Sequence, residues 1–253
     1  MKNYNINELF DFFNYWKNYT QPTEFYNEGW LTRLLIFSVT DFGLKEHDLF
    51  IKSDNKYFSE ALLYSPFLAR FEKDPLYESF TYADSAIGNF QIGNDTNKGA
   101  LKLTGRDLKI IEAKIFSEFS PKVKNADFYN QAARYIACIT ETIDKAGKIN
   151  QLNDLSICFY LILPKIQFEK KSSYEIAMNK KNIKETVQKR VNQYKHEPDY
   201  IERKLWFDSK FKKVLDKIII KPIFYEEVIY DLRNYRFVNE INEYYSMCLD
   251  YNK

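Results

Sequence analysis

Between Leu155 and Pro164 the chain reads LSICFYLILP, an almost unbroken apolar run. Side chains alternate between the two faces of a strand. A strand that is apolar at nearly every position therefore sits at the centre of a sheet, covered on both sides. The segments around it supply the cover. Periodic apolar residues predict helices over 5–18, with Asn5 as N-cap and Glu8 three residues later, and over 24–38, with the stripe Trp30, Leu31, Leu34 and Leu35. Further helices are expected over 125–144, 172–195, 199–217 and from 225 to 249. Between 41 and 79 the one legible piece, SEALLYSPFLARF (Ser59–Phe71), also reads as helical.

Strand texture appears in ESFTYADSAIGNFQIG, in ALKLTGRDLKIIEAKIF and in a short KIIIKPIF. The second of these is either two strands turning at Gly105-Arg106-Asp107 or one bulged strand. Asn94–Gly99 is a loop, and Ser120-Pro121 punctuates the chain before the next helix. The order is helix, strands, helix, strand, helices. This is an α/β domain with a small mixed central sheet flanked by helices and extended by helices at both ends. One domain over 1–253 is expected, with a core at about 24–164 and a helical, basic extension at about 165–253.

Bulk properties narrow the class. Aromatic residues make up 17% of the chain, with 20 Tyr and 21 Phe, which is ample core material and argues against disorder. Cys138, Cys158 and Cys248 form no metal-ligand pattern and read as free thiols of a reducing compartment. Glu8 and Asp11 interrupt the apolar run that a signal peptide needs, and no segment has the length of a membrane span, so the expectation is a cytoplasmic protein without membrane contact. No G-K-[ST] ending follows the glycines of GNFQIGNDTNKG, so no ATP site is expected in this chain. The net charge of +2 is unevenly spread. Residues 165–221 carry 16 Lys/Arg and 8 Asp/Glu, a net of +8, which leaves −6 for the rest. Such segregation suggests a surface facing a polyanion. NKKNIKETVQKRVNQYK supplies Lys180, Lys181, Lys184, Lys189 and Arg190 as candidate nucleic-acid contacts, near Tyr194, Trp206 and Phe207. The plain alternative is a set of solvated lysine-rich helices.

The chemistry-bearing stretch is LKIIEAKIFSEF, Leu108–Phe119. On a strand, Leu108, Ile110, Glu112 and Lys114 share one face, and Lys109, Ile111, Ala113 and Ile115 the other. An unpaired buried charge is costly, so a core strand with an acid and a base on one face needs a reason. Upstream, Asp84 stands in YADSAIG, a strand context that aspartate disfavours. Acids on adjacent strands can share a hard divalent cation through oxygen ligands. Downstream, Gln131 and Tyr135 are four apart on a helix and share a face. Phe128, Ala132, Ile136 and Ile139 would dock that face on the sheet.

Asp84, then Glu112-Ala113-Lys114, then Gln131-x-x-x-Tyr135 resembles the PD-(D/E)XK nuclease superfamily, and within it the branch of the RecB nuclease domain and lambda-exonuclease-like enzymes. The resemblance implies a restriction-endonuclease-like core and a Mg²⁺- or Mn²⁺-dependent deoxyribonuclease. It implies Asp84, Glu112 and the carbonyl of Ala113 as metal ligands. Lys114 would orient or help deprotonate the attacking water, and Gln131 and Tyr135 would position Lys114 and the nucleic-acid backbone. Glu28, in NEGWLTRLL, would serve at a second metal or at a metal-bound water. DNA is the implied partner, and a homodimer suits cutting of both strands. Asp95 and Asp107 remain alternatives to Asp84 as the metal-binding acid. Two other functional readings stay open: an inactive member of the fold that binds nucleic acid or protein, and an unrelated α/β protein in which Glu112–Lys114 is a salt bridge. Convergence of Asp84, Glu112 and Lys114 at one strand end separates the first reading from the last.

Overall fold

The computed structural model describes residues 6–92, 99–117, 119 and 125–252. Asn5, Asp95, Ser120-Pro121 and most of the Asn94–Gly99 loop lie outside them. The chain begins with α1 (Ile6–Trp16), a four-residue α2 (Pro22–Phe25) and α3 (Glu28–Phe42). Three strands follow: β1 (Lys56–Leu63), β2 (Thr81–Gln91) and β3 (Lys102–Ala113). Next come α4 (Gln131–Lys145) and β4 (Ser156–Leu163). Four helices, α5 (Lys165–Lys170), α6 (Ser172–Met178), α7 (Lys180–Asn192) and α8 (Tyr200–Trp206), lead through a π-helical turn at Phe207–Phe211 into α9 (Lys212–Lys217). The chain closes with β5 (Ile219–Phe224), α10 (Tyr225–Asp231) and α11 (Val238–Tyr251).

The strands form one sheet in the order β1-β2-β3-β4-β5. β1, β2 and β3 are antiparallel neighbours, and β3, β4 and β5 run parallel. The apolar run in β4 follows from its place. Ile157, Phe159, Leu161 and Leu163 pack into one layer with α4, α6 and α7, while Cys158, Tyr160 and Ile162 pack into the other with α1, α3, α10 and α11. Each fully buried side chain of this size contributes on the order of 1.5–3 kcal/mol. The three cysteines are buried and free. Among the described residues, no helix is long and apolar enough to cross a membrane.

Residues 165–252 do not stand apart from the core. β5 pairs with β4 over Cys158–Leu163, which completes the sheet. Arg70, in the turns after β1, donates to Asp74 (2.8 Å), Glu197 (3.0 Å) and Asp199 (2.9 Å), which ties those turns to the α7–α8 connection. The bond to Asp74 above all holds that carboxyl well below the usual aspartate range.

Two expectations are corrected. Ser59–Phe71 is not helical: Ala61, Leu62 and Leu63 pair with Ala83, Tyr82 and Thr81, and Glu60 has φ +53°. Tertiary pairing overrides local helix preference here. The helix expected from 125 starts at Gln131, where the Asn130 side chain caps it by accepting from Ala133 N at 2.9 Å. Phe128 therefore precedes α4 and is exposed rather than docked. Of the two readings of ALKLTGRDLKIIEAKIF, the single bulged strand is the one found: Gly105-Arg106-Asp107 lies inside β3, with a register irregularity opposite Gly88 and Phe90.

Candidate active site

The ladder between β2 and β3 holds from Gly88–Leu108 to Ser85–Ile111. Beyond that rung β3 stays paired with β4, through Ala113–Ile162, and Lys114 N donates to Ile162 O at 2.9 Å. On its other side the end of β3 has no backbone partner from β2 in this ladder. The Asp84 carboxylate supplies one: its Oδ2 accepts from Ala113 N at 2.7 Å. A buried main-chain N–H must be paired, so Asp84 caps this gap.

Glu112 sits in the gap, 1% exposed. Its Oε1 accepts from Lys114 Nζ and, at 2.5 Å, from Gln131 Nε2, the first residue of α4. Its Oε2 contacts the Tyr135 hydroxyl one helical turn on, and that hydroxyl also lies 2.7 Å from Tyr82 O. Tyr135 has a single hydroxyl proton. When it is donated to the Tyr82 carbonyl, which can only accept, the contact with Glu112 is satisfied by a proton on the carboxyl. Burial first, and the Asp84 charge second, push the Glu112 carboxyl from its ordinary 4.5 up to about 7, against the pull of Lys114 and the Tyr135 bond. Burial opposes the charge on Lys114, yet Glu112, Asp84 and Glu28 outweigh it and hold the ammonium above its ordinary range.

Glu28 is the first residue of α3, after the N-cap Asn27, whose side chain accepts from Trp30 N at 3.0 Å. Its carboxyl is raised, by burial first; Lys114 lowers it and Asp84 raises it. The helix thus brings Glu28 within electrostatic reach of both. Asp84, Glu112, Lys114, Gln131 and Tyr135 are joined in one hydrogen-bonded cluster through Ala113 and Tyr82, and Glu28 borders it. The cluster gathers three acids around a single ammonium.

Sequence reasoning missed Glu60. The register pairs Ser59 with Ser85 and Ala61 with Ala83, which places Glu60 opposite Asp84. Its carboxyl is raised by burial and then by Asp84, and lowered by Arg33 of α3. Because 59–71 reads as helix, no strand face could be assigned to it from sequence.

Asp107, one of the alternative acids, does not join the cluster. Asp107 lies five residues before Glu112 on β3, roughly 16 Å away at the rise of a strand, and accepts from Lys52 Nζ at 2.9 Å. Asp95 is outside the described residues. Of the nucleic-acid candidates, Lys180, Lys181, Lys184 and Lys189 are exposed on α7, which packs against α4. Arg190 is a correction. It is wholly buried, with Nε 3.0 Å from Glu78 Oε1 and Nη1 2.6 Å from Gln193 Oε1, and with Nη2 bonded to Leu76 O. A guanidinium so enclosed presents no charge to a partner. Its position seven residues after Ile183 and three after Val187 puts it on the apolar stripe of α7, a signal that was available in the sequence. Tyr194 is buried, as are Trp206 and Phe207, so the aromatics beside the lysines are core.

The donors that could meet a cation are the Asp84 and Glu112 carboxylates and the Ala113 carbonyl, all hard oxygens suited to Mg²⁺ or Mn²⁺. Among the described residues no three His, Cys, Asp or Glu side chains form a metal-binding group, so two carboxylates must be completed by main chain, water or substrate. Mg²⁺ is commonly held in that way. The excess of acids over bases, with one acid driven toward protonation, is a charge imbalance that a cation would relieve. A cleft of about 880 Å³ lies at the opposite edge of the sheet, between residues 42–48 and β5–α10, and holds none of these groups.

Comparisons with family models, with curated proteins and with solved structures return no match.

Proposed function

We propose that this chain is a metal-dependent nuclease of the PD-(D/E)XK type, with a restriction-endonuclease-like core, that hydrolyses phosphodiester bonds in DNA. The observation that carries this reading is the gap between β2 and β3, where Asp84 bonds to Ala113 N while Lys114, Gln131 and Tyr135 converge on Glu112. A mixed sheet flanked by helices, preceded by a helix that opens on Glu28, agrees with it.

Asp84, Glu112 and the Ala113 carbonyl would hold Mg²⁺ or Mn²⁺. A cation there would neutralise phosphate charge and lower the pKa of an attacking water. The chain's own residues supply the rest. Lys114 is a partly buried, charged donor that can orient the water and offset the charge that develops on the phosphate. Gln131 and Tyr135 fix the Glu112 carboxylate and keep it from swinging out of the gap. Glu28, on a rigid helix start, can take a proton or bind a second water. The exposed α7 lysines would add phosphate contacts whose strength falls steeply with salt. Cutting both strands of a duplex at one position would take two copies.

A second reading has one observation in its favour. Both Glu112 oxygens already have protein partners, an arrangement that an inactive nucleic-acid- or protein-binding member of the fold would also tolerate. The test is incubation of the purified chain with linear, circular and single-stranded DNA in Mg²⁺, Mn²⁺ or EDTA. Cleavage in metal that stops in EDTA supports the nuclease; binding without cleavage in either metal supports the second reading.

A further inference from the structure

The strand that carries Glu112 and Lys114 ends in an uncommon turn. Ser117 N donates to Ile115 O at 2.8 Å across Phe116, whose φ is +60°. A three-residue turn centred on a positive φ is rare and strained. For a side chain as large as phenylalanine such a φ is an outlier, so something must hold it. Gln167 of α5 does. Its Oε1 accepts from Phe116 N at 2.8 Å, and its Nε2 donates to Ser117 O at 2.8 Å. Tyr174 of α6 donates to the same carbonyl at 2.6 Å and accepts from Gln167 Nε2 at 2.5 Å. Gln167 is 4% exposed and Tyr174 is wholly buried. Both amide protons of Gln167 and its oxygen are thus committed to the turn and its brace.

We propose that Gln167 is a positioning residue for the hydrolysis, acting on Lys114 through the turn at Phe116. This rests on the nuclease reading above and adds a residue to it. The path is short. Lys114 lies two residues before Phe116, and its ammonium bonds Glu112 Oε1. Its main-chain N–H is held by Ile162 O of β4, and α5 starts at Lys165, directly after that strand. One connection therefore grips the chain at Lys114 N, at Phe116 N and at Ser117 O. Between these points Ile115, 3% exposed, is locked in the layer shared with α3. Without Gln167 the Phe116 N–H loses its acceptor and the strained φ loses its brace, so the chain after Ile115 relaxes toward the extended region. That shift starts two residues from Lys114. It takes the ammonium out of line with the attacked phosphate, where a displacement of about 1 Å costs on the order of 10²-fold in rate. Gln131 and Tyr135 fix Glu112 from α4; Gln167 does the same for Lys114 from α5.

The experiment uses Gln167→Met, Phe116→Gly and the double variant, each checked for an intact fold by circular dichroism. Methionine keeps the length of the side chain and removes its bonds. Glycine adopts a positive φ freely, so it keeps the turn without Gln167. Two readouts are taken. One is kcat and KM for DNA cleavage in Mg²⁺. The other is the nitrogen NMR signal of the Lys114 ammonium, in EDTA and without DNA, assigned with Lys114→Arg. Gln167→Met should lower kcat about 10–100-fold and leave KM within about twofold. It should also shift or abolish the ammonium signal. The double variant should recover most of both losses, which independent effects would not do. A loss that glycine does not recover makes Gln167 a merely structural residue and overturns the proposal. So does wild-type kcat in an active Gln167→Met, or an unchanged ammonium signal. The two proposals fail separately. An ammonium signal lost in Gln167→Met and restored by glycine, in a chain that cuts no DNA in either metal, leaves the positioning of Lys114 and removes the nuclease. Metal-dependent cleavage at the same kcat by wild type and Gln167→Met does the reverse.

Discussion

Replacing Glu112 by Gln tests the electrostatics of the site without reference to any substrate. The carboxyl is almost completely buried, and burial together with Asp84 raises it from 4.5 to about 7 in the folded chain. In the unfolded chain it titrates near its ordinary value. Between those two values the native state holds a proton that the unfolded state has lost. Stability therefore falls as pH rises through this window, and the loss is complete above it. At 1.36 kcal/mol per pH unit, the rise amounts to roughly 3 kcal/mol. Glu112→Gln removes the titration. Whatever the amide costs in packing is independent of pH, so the difference in stability between variant and wild type isolates the effect. Denaturant unfolding followed by tryptophan fluorescence at a series of pH values gives both curves. The variant should gain on the wild type by about 3 kcal/mol between pH 4.5 and 7 and run parallel to it above. A flat difference across that range would show that Glu112 is ionised throughout and would refute the argument that the gap carries excess negative charge.

Three further outcomes are expected. Arg190→Leu leaves Glu78 buried without its main partner and should cost about 3–5 kcal/mol in chemical denaturation, a loss that an exposed nucleic-acid contact would not show. Changing Lys180, Lys181, Lys184 and Lys189 together to Gln should leave stability within about 0.5 kcal/mol while weakening DNA binding and flattening its dependence on salt concentration in a filter-binding titration. Asp74 is held ionised by Arg70, so its stabilisation is present above the usual aspartate value near 3.9 and is lost as pH falls further. Asp74→Asn should unfold earlier at neutral pH and show a shallower acid limb than the wild type.

How far the sequence reveals this molecule depends on how local each signal is. The run at Leu155–Pro164 is legible because every alternate residue has a core to enter, and β4 does supply Phe159 and Leu161 to one layer and Tyr160 and Ile162 to the other. Glu112 and Lys114 are legible for the opposite reason: two charges on one face of an apolar strand contradict their surroundings. Helical spacing puts Gln131 and Tyr135 on one face, but by itself that reads as two ordinary polar residues on a helix surface, and only the resemblance singles them out. β1 is illegible, since Ala61, Leu62 and Leu63 suit a helix as well as a strand, and their conformation is set by pairing with residues twenty positions away. With β1 misread, Glu60 could not be foreseen opposite Asp84. Arg190 is a failure of a different kind. A count of positive charge carries no direction, and only the stripe of Ile183, Val187 and Val191 shows which way that residue points.

The central claim is that the gap between β2 and β3 hydrolyses phosphodiesters with a divalent cation. Its most direct test is the rate of DNA cleavage in Mg²⁺ by the wild type beside Glu112→Ala and Lys114→Ala, each checked for an intact fold by circular dichroism. The account predicts metal-dependent cleavage by the wild type and a fall of roughly 10²–10⁴ in rate for each variant. Cleavage at wild-type rate by either folded variant would contradict it.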